Sequence, residues 1–377
     1  MLEITNTRNG AILNASHGRE TKEALLFTLE GIAHPAARVT VDGETLPVVR
    51  SGKLFKAPIH LREKFNRVTV RAESKYGEEA VSITLLWDKR SFKRYHFYID
   101  DCVFFLTDIA KEKPKRAFDH FYLKSLKKIH EKTGAKFMLN LFYKNTVDPF
   151  EIRDFPDCYK SEFEDNSSWL RLSFHSDTEM PQYAYRACLP EKLLSEYDRV
   201  EKEIRRFAGE RAFTPAEAIH WCLFHPNLIA PLKERGVKVL SGWFIDCQLL
   251  YGQCHEKMRF TDLGYNTDLE TALYLEENNV LYDTELGIFF NKNNLCINLT
   301  PLEEVAPAVE KIAANPVYNE TMELYTHEQY SFPYYSHYLP DHEERILASV
   351  KKAGELGYES VFFNDGLLGN TAWEDEK

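Results

Sequence analysis

Tyr95-His96-Phe97-Tyr98-Ile99-Asp100-Asp101 is an apolar run that ends on two adjacent carboxylates, and the architecture of the larger part of the chain turns on it. A continuous apolar stretch of this length suits a strand buried on both faces, as in a parallel sheet covered by helices. Downstream the pattern repeats. Lys136–Phe142, Trp169–Phe174, Ala216–Trp221, Val237–Gly242, Gly287–Phe290, Glu323–His327 and Glu359–Phe363 are further short apolar runs, most followed by an amphipathic stretch. Three helices are predicted between them. Ala117–Lys132 places Phe118, Phe121, Leu126 and Ile129 on one side and stops at Gly134; Thr300-Pro301 opens a second with a cap and a first-turn proline; Asp341–Leu356 closes at Gly357. Repeated strand–helix units over about 280 residues predict a distorted TIM-like (β/α)7-8 barrel spanning 91–377. Residues 244–285 read as an excursion from it.

Upstream the period changes. Val39-Thr-Val41-Asp-Gly43, Val68-Thr-Val70-Arg-Ala72 and Val81-Ser-Ile83-Thr-Leu85-Leu-Trp87 alternate with period two between turn residues, which predicts a small all-β sandwich of immunoglobulin-like type over 1–90. The chain is therefore expected to be multidomain, the sandwich followed by the α/β barrel.

Composition excludes several classes. Of 377 residues, 44% are hydrophobic and 28% charged, as in ordinary globular proteins; 47 basic against 58 acidic side chains leave a net charge of −11. That balance repels nucleic acid and anionic lipid, so neither is an expected partner. No run of apolar residues is long enough to span a bilayer, and the first residues lack the apolar core of a secretory signal, so a cytoplasmic location is expected. Seven scattered cysteines without a CxxC pair indicate neither a disulfide framework nor a thiolate zinc site.

In such a barrel the chemistry sits at the C-terminal ends of the strands. Four strand ends carry it here. Asp100-Asp101 repel one another unless a cation or proton separates them, which pairs a metal ligand with a base; a strand-end turn is the ordinary alternative. His175 ends Leu172-Ser-Phe-His175, and Glu179 comes four residues later, on the same side if the chain turns helically. Simple capping and solvation would also account for them. His327 ends Glu323-Leu-Tyr-Thr-His327 and precedes the aromatic stretch from Tyr330 to Tyr335; it suits a general acid, or a buried hydrogen-bonded histidine. His220-Trp221, with Trp243 further on, are candidates to line a substrate pocket beside Tyr330.

Asp-Asp ending the first barrel strand, His-Ser-x-x-ligand with a proline close behind, and a late strand-end histidine together resemble the polysaccharide deacetylase superfamily, carbohydrate esterase family 4, over about residues 92–377. The resemblance implies a NodB-like metal-binding hydrolase of carbohydrate metabolism that removes an acetyl group. It makes Asp101 and His175 ligands of a divalent metal, zinc first, with Asp100 the general base and His327 the general acid. The family's second histidine falls on Glu179. An Asp101, His175, Glu179 set would carry two carboxylates, neutralise the ion and make manganese, cobalt or nickel more competitive. The family's base-orienting arginine and its Asp-Trp element have no match here. Two other classes remain open: a glycoside hydrolase drawing on Asp100, Asp101, Glu179 and Asp365, and a noncatalytic carbohydrate-binding protein using the sandwich and the loop from Tyr330 to Tyr338.

Overall fold

The computed structural model describes residues 1–181, 183–245 and 263–374. Two compact units emerge: Met1–Phe92 with Val280–Phe289 and Asn370–Lys377, and Lys93–Asn279 with Phe290–Gly369.

The first unit is built from two β-sheets. In one, Glu3–Ile4, Leu25–Ile32, Leu54–Leu61 and Val49–Ser51 lie side by side; in the other, Ile12–Leu13, Gly77–Trp87, Phe65–Ser74 and Arg38–Val41 do. Leu25, Phe27 and Leu29 from the first sheet and Val39, Val70 and Leu85 from the second share one buried apolar core, as period-two alternation requires. Gly43 has φ +78°, a left-handed conformation that glycine adopts without strain, at the turn that ends Arg38–Val41.

The second unit mixes α and β. Its central sheet is parallel and contains β1 (Arg94–Cys102), β2 (Phe137–Phe142), β3 (Leu170–Ser176), β6 (Leu295–Cys296), β7 (Thr321–His327) and β8 (Glu359–Ser360). The hydrogen-bonded order is β3-β2-β1-β7-β6, with β8 also on β1. All nine residues of β1 are buried, as a strand covered on both faces must be. Two further strands, β4 (Val239–Gly242) and β5 (Ile288–Lys292, of which Phe290 onward falls in this unit), belong to a separate sheet.

The barrel was expected closed or slightly incomplete, and among the described residues no ladder closes the ring. Ala216–Trp221 is not a strand, because it ends in a tight turn at His220–Cys222 with Trp221 at φ 63° and Cys222 at φ 52°. Single hydrogen bonds bridge what ladders do not. Leu172 N donates to Ala212 O, Ser241 N to Glu217 O, Asn293 N to Gly242 O and Asn294 N to Glu323 O. A buried polar network reinforces this irregular half. His96 Nδ1 lies 2.9 Å from Glu323 Oε1 and 3.1 Å from Glu217 Oε2. Glu323 Oε2 accepts from Ser241 and Asn291, and Glu217 Oε1 accepts from Asn364 N. Burial pushes Glu217 up to about 7 and Glu323 well above the usual carboxylate range. Isolated segments are thus tied by side chains where backbone pairing is lacking.

The helices differ from expectation in detail. The run from Ala117 breaks at His120, which is extended, and α2 (Phe121–Thr133) starts afresh. Its buried face is accordingly Tyr122, Leu123, Leu126 and Ile129, while Phe121 is 46% exposed. Gly134 closes it at φ +75°. Thr300 does not cap α4 (Leu302–Ala313): its hydroxyl bonds to Cys296 O, and Pro301 occupies the cap position. The helix α5 (His342–Glu355) comes after β7; α1 (Phe104–Glu112) and α3 (Pro190–Phe207) come after β1 and β3. The predicted strand Glu359–Phe363 shortens to Glu359–Ser360. Residues 246–262 of the 244–285 excursion lie outside the described residues.

Candidate active site

Register explains how neighbouring residues in one strand reach one cavity. Strict alternation would send Asp100 and Asp101 to opposite faces. Between β1 and β2, however, Ile99 pairs with Leu139 and Cys102 with Leu141, so β1 carries one extra residue at Asp100-Asp101. The bulge puts Asp101 at φ 60°, and both carboxylates line one cavity of about 220 Å³. The same device recurs on β3. Leu141 pairs with Phe174 and Phe142 with Ser176, leaving His175 as the extra residue. Bulges of this kind re-aim side chains next to functional sites.

Three ligand-type atoms converge there. His220 Nδ1 is 3.0 Å from His175 Nε2, His175 Nε2 is 3.3 Å from Asp101 Oδ1, and His220 Nδ1 is 3.7 Å from Asp101 Oδ1. Ligands about 2.0–2.1 Å from a tetrahedral zinc stand roughly 3.3–3.4 Å apart. The triangle matches that spacing. His175 Nδ1 lies 2.8 Å from Ala218 O and His220 Nε2 3.4 Å from Glu179 O; with the protons on those two nitrogens, His175 Nε2 and His220 Nδ1 each present a lone pair. In that pair of tautomers the two lone pairs face each other at 3.0 Å and repel, and Asp101 Oδ1 is buried without a hydrogen-bond partner. One cation between the three would relieve all of this. The residues present fit a divalent metal, with Asp101, His175 and His220 holding it.

The structure brings His220, and not the Glu179 carboxylate, into the group with Asp101 and His175, because the chain after Ser176 does not turn helically. Pro181 disfavours the helical conformation at Met180, so the four-residue spacing never becomes one helical face. Glu179 lines the cavity and gives its backbone carbonyl to His220; burial, then the charge of Asp101, pushes its side chain up to about 7.

The remaining site groups have distinct environments. Asp100 Oδ1 accepts from Asn140 Nδ2 at 2.7 Å and lies 3.4 Å from His175 Nδ1; burial raises its pKa. Burial also pushes Asp101 up, but the adjacent His175 imidazole and the charge of His327 outweigh it and hold the carboxyl below its usual range. Burial brings His220 down to about 3, keeping it neutral. For His327 the burial effect is overcome by the Cys296 thiol and by Asp101 and Asp100, which lift it to about 10. Its Nδ1 is 2.9 Å from Asn298 Oδ1, and β7 pairs it directly with Asp100. His327, Trp221, Tyr330 and Trp243 all line the cavity.

Sequence reasoning missed four supporting residues. Asn140 and Asn298 orient Asp100 and His327, and Gln329 Nε2 donates to Asp101 Oδ2 at 2.8 Å. Glu328 accepts from the backbone N–H groups of Val103, Phe104 and Phe105 at 2.6, 2.8 and 2.7 Å, fixing the start of α1 directly after the bulge. Position next to His327 was the one available signal. Asp365 lies elsewhere: it pairs in two-pronged fashion with Arg171 at 2.8 and 3.0 Å and does not line the cavity.

No family model and no curated protein matches the chain. Among solved structures, a chimeric titin Z1Z2 is similar to 24% of this chain over 95% of its own, at 19% identity and TM-score 0.18. Two Bacteroides fragilis proteins provisionally described as alpha-galactosidases are similar over 98% of this chain and 79% and 80% of theirs, at 11% and 10% identity and TM-scores of 0.24 and 0.25. No helix among the described residues is long and apolar enough to cross a membrane.

Proposed function

We propose that the protein is a metal-dependent hydrolase acting on a carbohydrate, and that the bond it cleaves is that of an acetyl group. What supports the reading is one arrangement: three converging ligand-type atoms of Asp101, His175 and His220 beside Asp100 and His327 in a single cavity. One carboxylate and two neutral imidazoles leave a divalent ion with net positive charge, and this nitrogen-rich set suits zinc. When bound, such an ion supplies Lewis acidity toward a carbonyl and toward water.

The chain's own groups would do the proton work. Asp100, made more basic by burial and steadied by Asn140, takes a proton from the attacking water. The water oxygen bonds to the acetyl carbon while the carbon–nitrogen or carbon–oxygen bond to the sugar breaks. His327, which keeps its proton at neutral pH, gives it to the departing amine or alkoxide, with Asn298 holding the ring. Acetate and the free sugar group are the products. Acetate release from a panel of acetylated sugars tests this: a chelator should abolish it and one equivalent of zinc restore it. Chelator-insensitive release would reject the metal.

A second reading has its own observation. Glu179 is raised to about 7 while Asp101 is held low in the same cavity, and carboxyl groups pushed apart in this way serve glycoside hydrolases as acid and base or nucleophile. Glycosidic cleavage that survives chelation and is lost in Glu179→Gln would favour it.

A further inference from the structure

A second group of metal-binding side chains lies outside the cavity, on α1 and at the residue that precedes α2. Asp108 and Glu112 are four apart near the C-terminal end of α1, so they share one face of that helix. His120, extended at the entry to α2, meets them there: its Nε2 is 3.7 Å from Asp108 Oδ2. One ligand-type atom from each of the three lies within 4.8 Å of the other two. None of these residues lines the cavity of Asp100 and His327. We propose that Asp108, Glu112 and His120 form a second site, for a divalent transition-metal ion.

His120 carries the argument. It is 3% exposed, its ring packs against Phe121 at 4.7 Å and Phe332 at 6.2 Å, and both of its nitrogens are buried without a hydrogen-bond partner. Buried polar atoms are rarely left so, and a metal is a common partner of a neutral imidazole. At 3.7 Å the Asp108 carboxylate is too far to accept a hydrogen bond from Nε2. Two ligands about 2.1–2.2 Å from one ion, however, stand about 3.0–3.8 Å apart across angles of about 90–120°. Charge points the same way. Lys111 is already paired with Asp148, and the partial negative charge at the C-terminal end of α1 adds to the charges of Asp108 and Glu112. A divalent ion balances the two carboxylates. The Tyr334 hydroxyl donates to both Asp108 oxygens, at 3.0 and 3.1 Å, and so orients the carboxylate as outer partners of metal ligands do. A nitrogen ligand favours zinc, cobalt or nickel over magnesium and calcium, which prefer oxygen. Glu112 is exposed and water competes for it, so this site binds more weakly than the buried triangle and fills after it.

Calorimetric titration of the full chain with zinc tests the site, and variants separate it from the triangle. Wild type should bind a second, weaker equivalent. Asp108→Asn/Glu112→Gln, which changes one half-buried and one exposed position, should lose that equivalent and keep the tighter one. His120→Gln should lose it as well, which marks the imidazole as a ligand. His175→Ala/His220→Ala should lose the tighter equivalent and keep the weaker. If wild type binds a single equivalent and Asp108→Asn/Glu112→Gln abolishes it, the second site stands although the triangle has failed. A stoichiometry that Asp108→Asn/Glu112→Gln leaves unchanged would overturn the proposal. So would a weaker equivalent that survives in His120→Gln, or one that excess calcium displaces, since either would reduce the site to a patch of surface acids.

Discussion

Exchanging the two rival third ligands gives the most informative perturbation. In His220→Ala the triangle loses a vertex, whereas Glu179→Gln leaves all three ligand atoms and the backbone carbonyl that faces His220 in place. Free zinc at a hundred times its Kd stabilises a folded protein by about 2.7 kcal/mol. Domains of 150–250 residues shift by about 2–4 °C per kcal/mol, and the second unit, covering Lys93–Asn279 and Phe290–Gly369, lies just beyond that size. Wild type should therefore gain about 5 °C in Tm. Supporting residues alone change metal affinity by about 10–100-fold, so losing a direct ligand should weaken it at least a hundredfold. At the same zinc concentration His220→Ala then retains at most about 0.4 kcal/mol, a shift under about 1 °C. Differential scanning fluorimetry with and without zinc reads both. If Glu179→Gln loses the shift and His220→Ala keeps it, the assignment of His220 is wrong.

Asp100→Asn should lower kcat by about 10²–10⁴ with metal content unchanged, measured by acetate release alongside elemental analysis; retained turnover would remove Asp100 as base. Glu328→Ala strands three buried N–H donors at the start of α1 and should cost at least about 3 kcal/mol in urea unfolding, with turnover falling as the Asp100-Asp101 bulge loosens. His342 is brought down to about 3 by burial and then by the charge of Arg345, and it bonds Thr326 and Ser331. Between its ordinary pKa near 6.5 and about 3 the unfolded chain binds the extra proton, so this contribution is whole above pH 6.5 and fades as the pH falls, by up to about 1.4 kcal/mol per unit. Tm against pH should flatten over that range in His342→Gln, and an unchanged slope would assign the acid sensitivity to other groups.

Where the sequence was legible, a single period decided the outcome. Alternation in Phe65–Ser74 and Gly77–Trp87 and the unbroken apolar run of Arg94–Cys102 correspond to strands because burial on one face or two leaves different residue patterns. The ring was illegible because its irregular half is held by isolated hydrogen bonds and the His96, Glu217, Glu323 network, neither of which has a period. Strand-end polarity located Asp101, His175 and His327. It could not tell Glu179 from His220, since that choice depends on a bulge at His175 and a turn at His220–Cys222 that bring together residues 45 apart. Asn140, Asn298 and Gln329 act through partners distant in sequence and leave no local mark.

Anomalous diffraction from crystals grown with zinc puts the ligand triangle to its sharpest trial. One strong peak should lie about 2.0–2.2 Å from Asp101 Oδ1, His175 Nε2 and His220 Nδ1 together. A peak bound by Glu179 in place of His220, or no peak among these three atoms, would contradict it.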